Sequence, residues 1–303
     1  MVFSNGLLTA PRFGLAWDPS GDGKMSIRLG GGIFYAQHPD AGTLGNLFFN
    51  PPAIYTPTQY YGTVATAANG TGLLSPSSFS RDIDPHGKAV TTYHATLGIQ
   101  REVGFGTVVD VAYVGSFGRH LGQKLSDLNA VPYGAQFLPQ NQNPQTNTPL
   151  ADNYFRPYQG YGTIPQQIFD GNSSYHSLQV SANRRFARGL QFGVAYTFSK
   201  AMNYSEGDST TSTGVAQFVD RKVWNYGLAG YDRPNVLTLH FLWEVPKLSR
   251  VLPNPIVKAI FDGWRISDIT QLYQRQGSGG QHGHVAQREF HRRRRWRPPD
   301  HGR

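Results

Sequence analysis

The chain is 303 residues long, with 35 Gly, 20 Pro and 13% aromatic residues, but only 16% of its residues are charged, against roughly 25% in ordinary globular domains. It contains no cysteine, which excludes disulfides and thiolate metal or redox sites. No run of about 18 apolar residues occurs, which excludes a transmembrane helix but not a membrane barrel, whose strands alternate and average out.

The net charge of +9 is uneven, because from Gly277 onward seven Arg stand against only Glu289 and Asp300. The opening "MVFSNGLLTAPRFG" has neither a basic n-region nor a long apolar stretch, so it does not read as a signal peptide. The plentiful Tyr, Phe, Thr, Val and Gly favour strands and turns over helices.

The first strand pair places Phe13, Leu15 and Trp17 opposite Arg12, Gly14 and Ala16. "DPSGDGK" then turns the chain, with Gly21 and Gly23 free to take positive φ. The return strand puts Met25, Ile27, Leu29, Ile33 and Tyr35 on one face. In the second pair, Tyr93, Ala95, Leu97 and Ile99 alternate with Thr92, His94, Thr96 and Gln100. After "REVGFG" come Thr107, Val109, Val111 and Tyr113, with Asp110 on the other face.

The third pair is "HSLQVSANRRFARGLQFGVAYTFSK", residues 176–200, turned at Ala187-Arg188-Gly189. Leu178, Val180 and Ala182 alternate with Gln179, Ser181 and Asn183. Leu190, Phe192, Val194, Tyr196 and Phe198 alternate with Gln191, Gly193, Ala195, Thr197 and Ser199. In the fourth pair Leu237, Leu239, Phe241, Trp243 and Val245 lead through a proline-rich connection to Trp264 and Ile266, a strand whose apolar register includes Asp268.

Between pairs lie stretches 36–90, 117–174 and 200–235, rich in Gly, Pro, Asn, Gln, Ser and Tyr. Short turn, long loop, short turn is unusual for compact soluble domains. It is the rule for outer-membrane barrels, with short periplasmic turns and long extracellular loops. Leu190 to Phe198 rises roughly 20 Å along a membrane normal at about 3.3 Å per residue and a tilt near 40°. Aromatic residues gather toward strand ends (Trp17, Tyr35, Tyr93, Tyr113, Phe186, Phe198 and Trp264), where a ring with a polar edge suits the headgroup level.

The expected fold is therefore all-β, an antiparallel transmembrane β-barrel. Leu190, Phe192, Val194, Tyr196, Phe198, Leu237, Leu239, Phe241 and Trp243 face lipid, and Gln179, Ser181, Asn183, Gln191 and Thr197 face the lumen. A soluble β-sandwich also alternates and is the weakest alternative.

Five segments in order resemble the Oar-like branch of TonB-dependent outer-membrane transporters and receptors. They are "APRFGLAWDPSGDGKMSIRLGGGIFY" (10–35), "LGIQREVGFGTVVDVAYVGSFGRHL" (97–121), "SYHSLQVSANRRFARGLQFGVAYTFSK" (174–200), "YDRPNVLTLHFLWEVP" (231–246) and "DGWRIS" (262–267). The resemblance implies a 22-stranded barrel, of which about eight strands are recognisable here, and a plug through which TonB delivers energy. On this reading residues 1–275 are a partial barrel without plug or TonB box. Residues 276–303 read as a basic disordered tail translated out of frame.

No catalytic, cofactor or metal site is expected. G-x-S-x-G, H-E-x-x-H and Walker A motifs are absent from the sequence. His282 and His284 fall in the suspect tail. His94, His176 and His240 sit in or beside strands without matching carboxylates and read as lumen or headgroup residues. "GGG" at 30–32 lacks a following helix and reads as a bend or a close approach of another backbone.

The long loops, with Tyr55, Tyr60, Tyr61, Tyr154, Tyr158 and Tyr161, are the recognition surface, for a ligand the sequence does not name. The expected function is a non-enzymatic transporter fragment in the bacterial outer membrane. Its partners are outer-membrane lipid and, only through a plug, TonB. No nucleic-acid partner is expected. The rival is an autonomous eight-stranded barrel whose loops bind a surface partner.

Overall fold

The computed structural model describes residues 6–36, 47–54, 59–60, 63–67, 73–74, 77–125, 127–204, 218–250, 253–276 and 282–289. Nine strands dominate it: β1 (Arg12–Trp17), β2 (Met25–Ala36), β3 (Val90–Gly104), β4 (Thr107–Leu125), β5 (Gln166–Ala187), β6 (Leu190–Asn203), β7 (Asn235–Glu244), β8 (Arg265–Gln276) and β9 (His282–Glu289). Each pairs antiparallel with the next in the chain, giving a simple meander. Among the described residues β1 and β9 have no second neighbour, so the sheet is open at both edges. β9 lies within the segment read as a tail.

The β1–β2, β3–β4 and β5–β6 connections, all tight, leave one end of the sheet. The β1–β2 turn is held by Asp18, which accepts backbone N–H groups from Ser20 and Gly21 at 3.0 Å and from Gly23 at 2.8 Å. Three amide donors, Gly23 foremost, hold the Asp18 carboxyl below its usual range.

The β3–β4 and β5–β6 turns are two-residue loops of one design. Phe105-Gly106 has φ of 53° and 68°, and Arg188-Gly189 has 52° and 80°. Positive φ at both central residues matches the twist of the flanking strands. The β5–β6 turn is thus one residue tighter than the three-residue reading. The β7–β8 connection carries helix α1 (Pro255–Phe261), capped by the Asn254 side chain, which accepts from the Ile256 N–H.

At the other end the strands run further than their apolar pattern. β4 continues to Leu125 and β5 begins at Gln166, so the loop is 126–165, not 117–174. Tyr113 consequently sits in the middle of β4, not at its end. In this extension the β4 register shifts between Gly118 and Leu121 and again between Leu121 and Gln123. Such irregularities erase a period-two signal.

The apolar core lies at this loop end, not between sheets. Ile83, Val90 and Phe169 are buried, with Leu47 and Leu121 packed against them. The segment from Ser77 to Asp84 runs as a strap along the stretch before and into β5. Asp82–Ile83 pairs parallel with Gln166–Gln167, and Ser77 bridges Tyr161. The N–H of Asp82 donates to Pro165 O at 2.7 Å, and that of Asp84 to Gln167 O at 2.9 Å.

Candidate functional site: a two-faced wall

Strand register decides which side chains share a face. One cross-strand row reads Trp17, Ile27, Ile99, Val111, Val180, Tyr196, Leu237 and Leu272, with one residue from each of β1 to β8. The neighbouring row reads Leu15, Leu29, Leu97, Tyr113, Leu178 and Phe198. Toward the short turns, Val194 pairs with Leu239, Phe192 with Phe241, and Leu190 with Trp243. All nine residues read from the sequence as lipid-facing therefore lie on one face.

That face is open rather than packed. Trp17 is 57% exposed, Leu97 46% and Phe198 53%. Apolar patches on soluble monomers rarely exceed a few hundred Å², and this one crosses eight strands.

The opposite face has the reverse chemistry. One row reads Ser26, Gln100, Asp110, Ser181, Ala195, Thr238 and Gln271. Gln179 pairs with Thr197, Asn183 with Gly193, and Gln191 with Leu242, so Gln179, Ser181, Asn183, Gln191 and Thr197 share this second face. Arg28 Nη2 donates to Gln100 Oε1 at 2.7 Å across β2 and β3. The Arg12 guanidinium stacks 4.5 Å from the Phe34 ring centroid.

His94 and His240 are also here. His240 lies over Gly193, where an added Cβ would collide with its Cε1. His176 differs: it stands opposite Gly115 and Lys200, at the loop end of the apolar face.

The glycines at 30–32 serve side chains more than a neighbouring backbone. A Cβ on Gly30 would meet Thr96 Oγ1 at 2.9 Å, one on Gly31 the Phe13 ring at 2.7 Å, and one on Gly32 Arg12 Cγ at 2.9 Å. Asp268 does fall on the apolar face, opposite Phe241, where Thr270 Oγ1 donates to its Oδ2 at 2.7 Å.

A polar cluster without a sequence signature orders loop 126–165. Asn129 is fully buried. Its Nδ2 donates to the carbonyls of Tyr158, Tyr161 and Gly162 at 2.9–3.1 Å, and its Oδ1 accepts the Tyr158 N–H at 2.7 Å. Beside it Arg156 pairs with Asp127 at 2.9 Å, both largely buried. Their only trace in the sequence is an Asp-x-Asn spacing of the kind that makes Asx turns.

The loop presents Tyr154, Tyr158 and Tyr161 to solvent. Tyr55 and Tyr61 lie outside the described residues, and Tyr60 belongs to a two-residue strand, Gln59–Tyr60. Among the described residues no group of three or more His, Asp or Glu is placed to hold a metal.

A meander of long strands, apolar on one face and polar on the other, with three tight turns at one end and three long loops at the other, is the build of a membrane β-barrel wall. The chain belongs to the outer membrane beta barrel domain family, whose model matches residues 3–276. Its place is the bacterial outer membrane.

Three solved structures are similar, each at 12% identity. The outer membrane transporter YddB from Escherichia coli matches with a TM-score of 0.49, over 88% of this chain and 28% of that one. The FrpB iron transporter from Neisseria meningitidis matches at 0.45, over 91% and 30%. The siderophore receptor PirA from Pseudomonas aeruginosa matches at 0.42, over 93% and 36%. The chain thus spans about a third of the length of each. No curated protein matches the sequence.

Proposed function

We infer that this chain supplies a sector of the wall of an Oar-like TonB-dependent transporter or receptor, which moves or binds a bulky ligand without catalysing a reaction. The observation that carries the reading is the unbroken apolar row from Trp17 on β1 to Leu272 on β8, backed by a polar face. Lipid covers the first face and water the second. Leu190, Phe192, Val194, Tyr196, Phe198, Leu237, Leu239, Phe241 and Trp243 then meet acyl chains, and Gln179, Ser181, Asn183, Gln191 and Thr197 line the lumen.

Open edges support a larger barrel. In hydrocarbon each unpaired backbone group costs several kcal/mol, so the free sides of β1 and β9 need pairing partners, which the further strands of a larger barrel supply. The five ordered segments support the Oar-like subtype, and coupling to TonB runs through the plug which that resemblance implies. The ordered, aromatic loop 126–165 is the surface on which an external ligand is met.

The test uses the absence of native cysteine, which makes every introduced thiol unique. Single cysteines at 190–198, in protein recovered from outer membrane, are labelled with a fluorophore and exposed to lipid-borne quenchers. Quenching at 190, 192, 194, 196 and 198, and not at the positions between, supports the wall. A freely soluble chain, or a scan without period two, overturns it.

A further inference from the structure

We propose that His176 and Lys200 form a binding site for the phosphate of an anionic lipid headgroup in the outer leaflet. The inference rests on the apolar face meeting lipid, and names what that face holds at its upper rim.

The level follows from the register. Lys200 is ten residues beyond Leu190, the first residue after the β5–β6 turn. At about 3.3 Å per residue and a tilt near 40°, it stands roughly 25 Å above the short-turn end, which is the height of the apolar band itself. Lys200 and the directly opposed His176 are therefore the first polar pair above the hydrocarbon on β5 and β6. The row below them is still apolar, with Leu178 opposite Phe198.

The site is organised by its neighbours. The missing Cβ of Gly115 leaves room for Tyr113 Oη, which an added Cβ would approach to 2.8 Å. Tyr113 Oη reaches His176 Nδ1 at 2.8 Å. The Phe117 ring meets the imidazole edge-on with centroids 5.1 Å apart. In the tautomer with its proton on Nε2, Nδ1 accepts from the Tyr113 O–H and the ring presents a donor outward. Lys200, its cross-strand partner, adds a positive charge from the neighbouring strand.

Both side chains are exposed, and neither has an ion-pair partner among the described residues. The register partners one row above and one row below, Ser174 with Met202 and Leu178 with Phe198, bring no carboxylate. A cation at headgroup height, without an ion-pair partner among the described residues and beside an imidazole held by Tyr113 and Phe117, matches a phosphate ester with an acyl chain lying down the face below it.

The test is lipid retention by the full chain extracted from outer membrane and reconstituted in phosphatidylcholine bilayers with a minor fraction of diphosphorylated lipid A. Retained lipid is read by native mass spectrometry. Lys200→Gln is expected to lower retention of the phosphorylated lipid about fivefold, the worth of one cation at an anionic surface, and Lys200→Arg to restore it. His176→Phe, which keeps the ring contact with Phe117, lowers it by a smaller factor.

A fluorophore at Phe198→Cys separates the layers of the argument. If lipid quenches it while Lys200→Gln retains phosphorylated lipid unchanged, the site is overturned and the wall stands. If lipid does not quench it, the wall reading fails and the site with it. Displacement of the lipid by inorganic phosphate alone at equal concentration overturns the assignment to a lipid.

Discussion

The Phe13 ring lies where a side chain at Gly31 would otherwise stand, 2.7 Å from a Cβ built at that position, and the two residues are direct cross-strand partners. β1 is only six residues long and exposed throughout, so this ring-over-glycine contact is a large part of its side-chain attachment. Gly31→Val forces the ring off and also meets the His94 carbonyl, 3.1 Å from the same Cβ. Overpacking of this kind costs about 1–3 kcal/mol. Hydrogen exchange is expected to quicken across Arg12–Trp17 while β4 to β6 keep their protection. Adding Phe13→Ala recovers part of the loss.

The Arg188-Gly189 turn carries a second prediction. Gly189 has φ of 80°, and a Cβ there would stand 3.2 Å from the Glu244 carbonyl oxygen. Gly189→Ala combines left-handed strain of about 1–2 kcal/mol with that contact. Arg188→Asn places a residue that tolerates positive φ at a position with φ of 52° and moves stability the other way by a few tenths of a kcal/mol, order of magnitude. Urea unfolding of the reconstituted protein reads both.

The two faces predict an asymmetry for charge. Leu239, in register with Val194, lies near the middle of the proposed lipid band. Leu239→Arg is expected to cost about 2–4 kcal/mol, the price of a cation on the lipid face near the midplane. Gln191→Arg, on the polar face, is expected to cost less than about 1 kcal/mol because its guanidinium stays in water. Folded yield in outer membrane and urea midpoints together decide. Equal losses from both variants would remove the distinction between the faces.

Acid acts on the first turn. Asp18 is ordinarily half-protonated near 3.8, and the N–H groups of Gly23, Ser20 and Gly21 hold it lower in the folded turn. A depressed folded pKa means a contribution fully present above 3.8 and lost as pH falls through the folded value. The Gly23 amide resonance is expected to titrate below the ordinary carboxylate value, and in Asp18→Asn to stay flat over the same range. A titration at or above 3.8 would contradict the capping geometry.

Much of the wall was legible in the sequence, for a physical reason. A sheet with one apolar and one polar face needs an apolar residue at every second position, so Leu190 to Phe198 and Leu237 to Trp243 show their faces in the order of their letters. Nearer the loops that demand ends. Residues 117–125 and 166–174 extend β4 and β5 among the loops. There both faces accept polar side chains, register shifts break the alternation, and the strands read as loop. Asp127, Asn129 and Arg156 leave only a faint trace in the sequence for a related reason. Their value lies in closing on carbonyls and partners about thirty residues away, and no local pattern marks that. His176 was readable as a strand histidine, but its pairing with Lys200 needed the register.

The strap from Ser77 to Asp84 ties together two loops that are far apart in the chain, with Gln166 Nε2 donating to Asp82 Oδ2 at 2.7 Å across a separation of 84 residues. A change confined to one of them disturbs the other. An insertion that moves residues 161–167 takes away the carbonyls to which Asp82 and Asp84 donate, and a graft of 126–165 onto another barrel carries half a joint. Engineered display at this end therefore requires both segments to travel together.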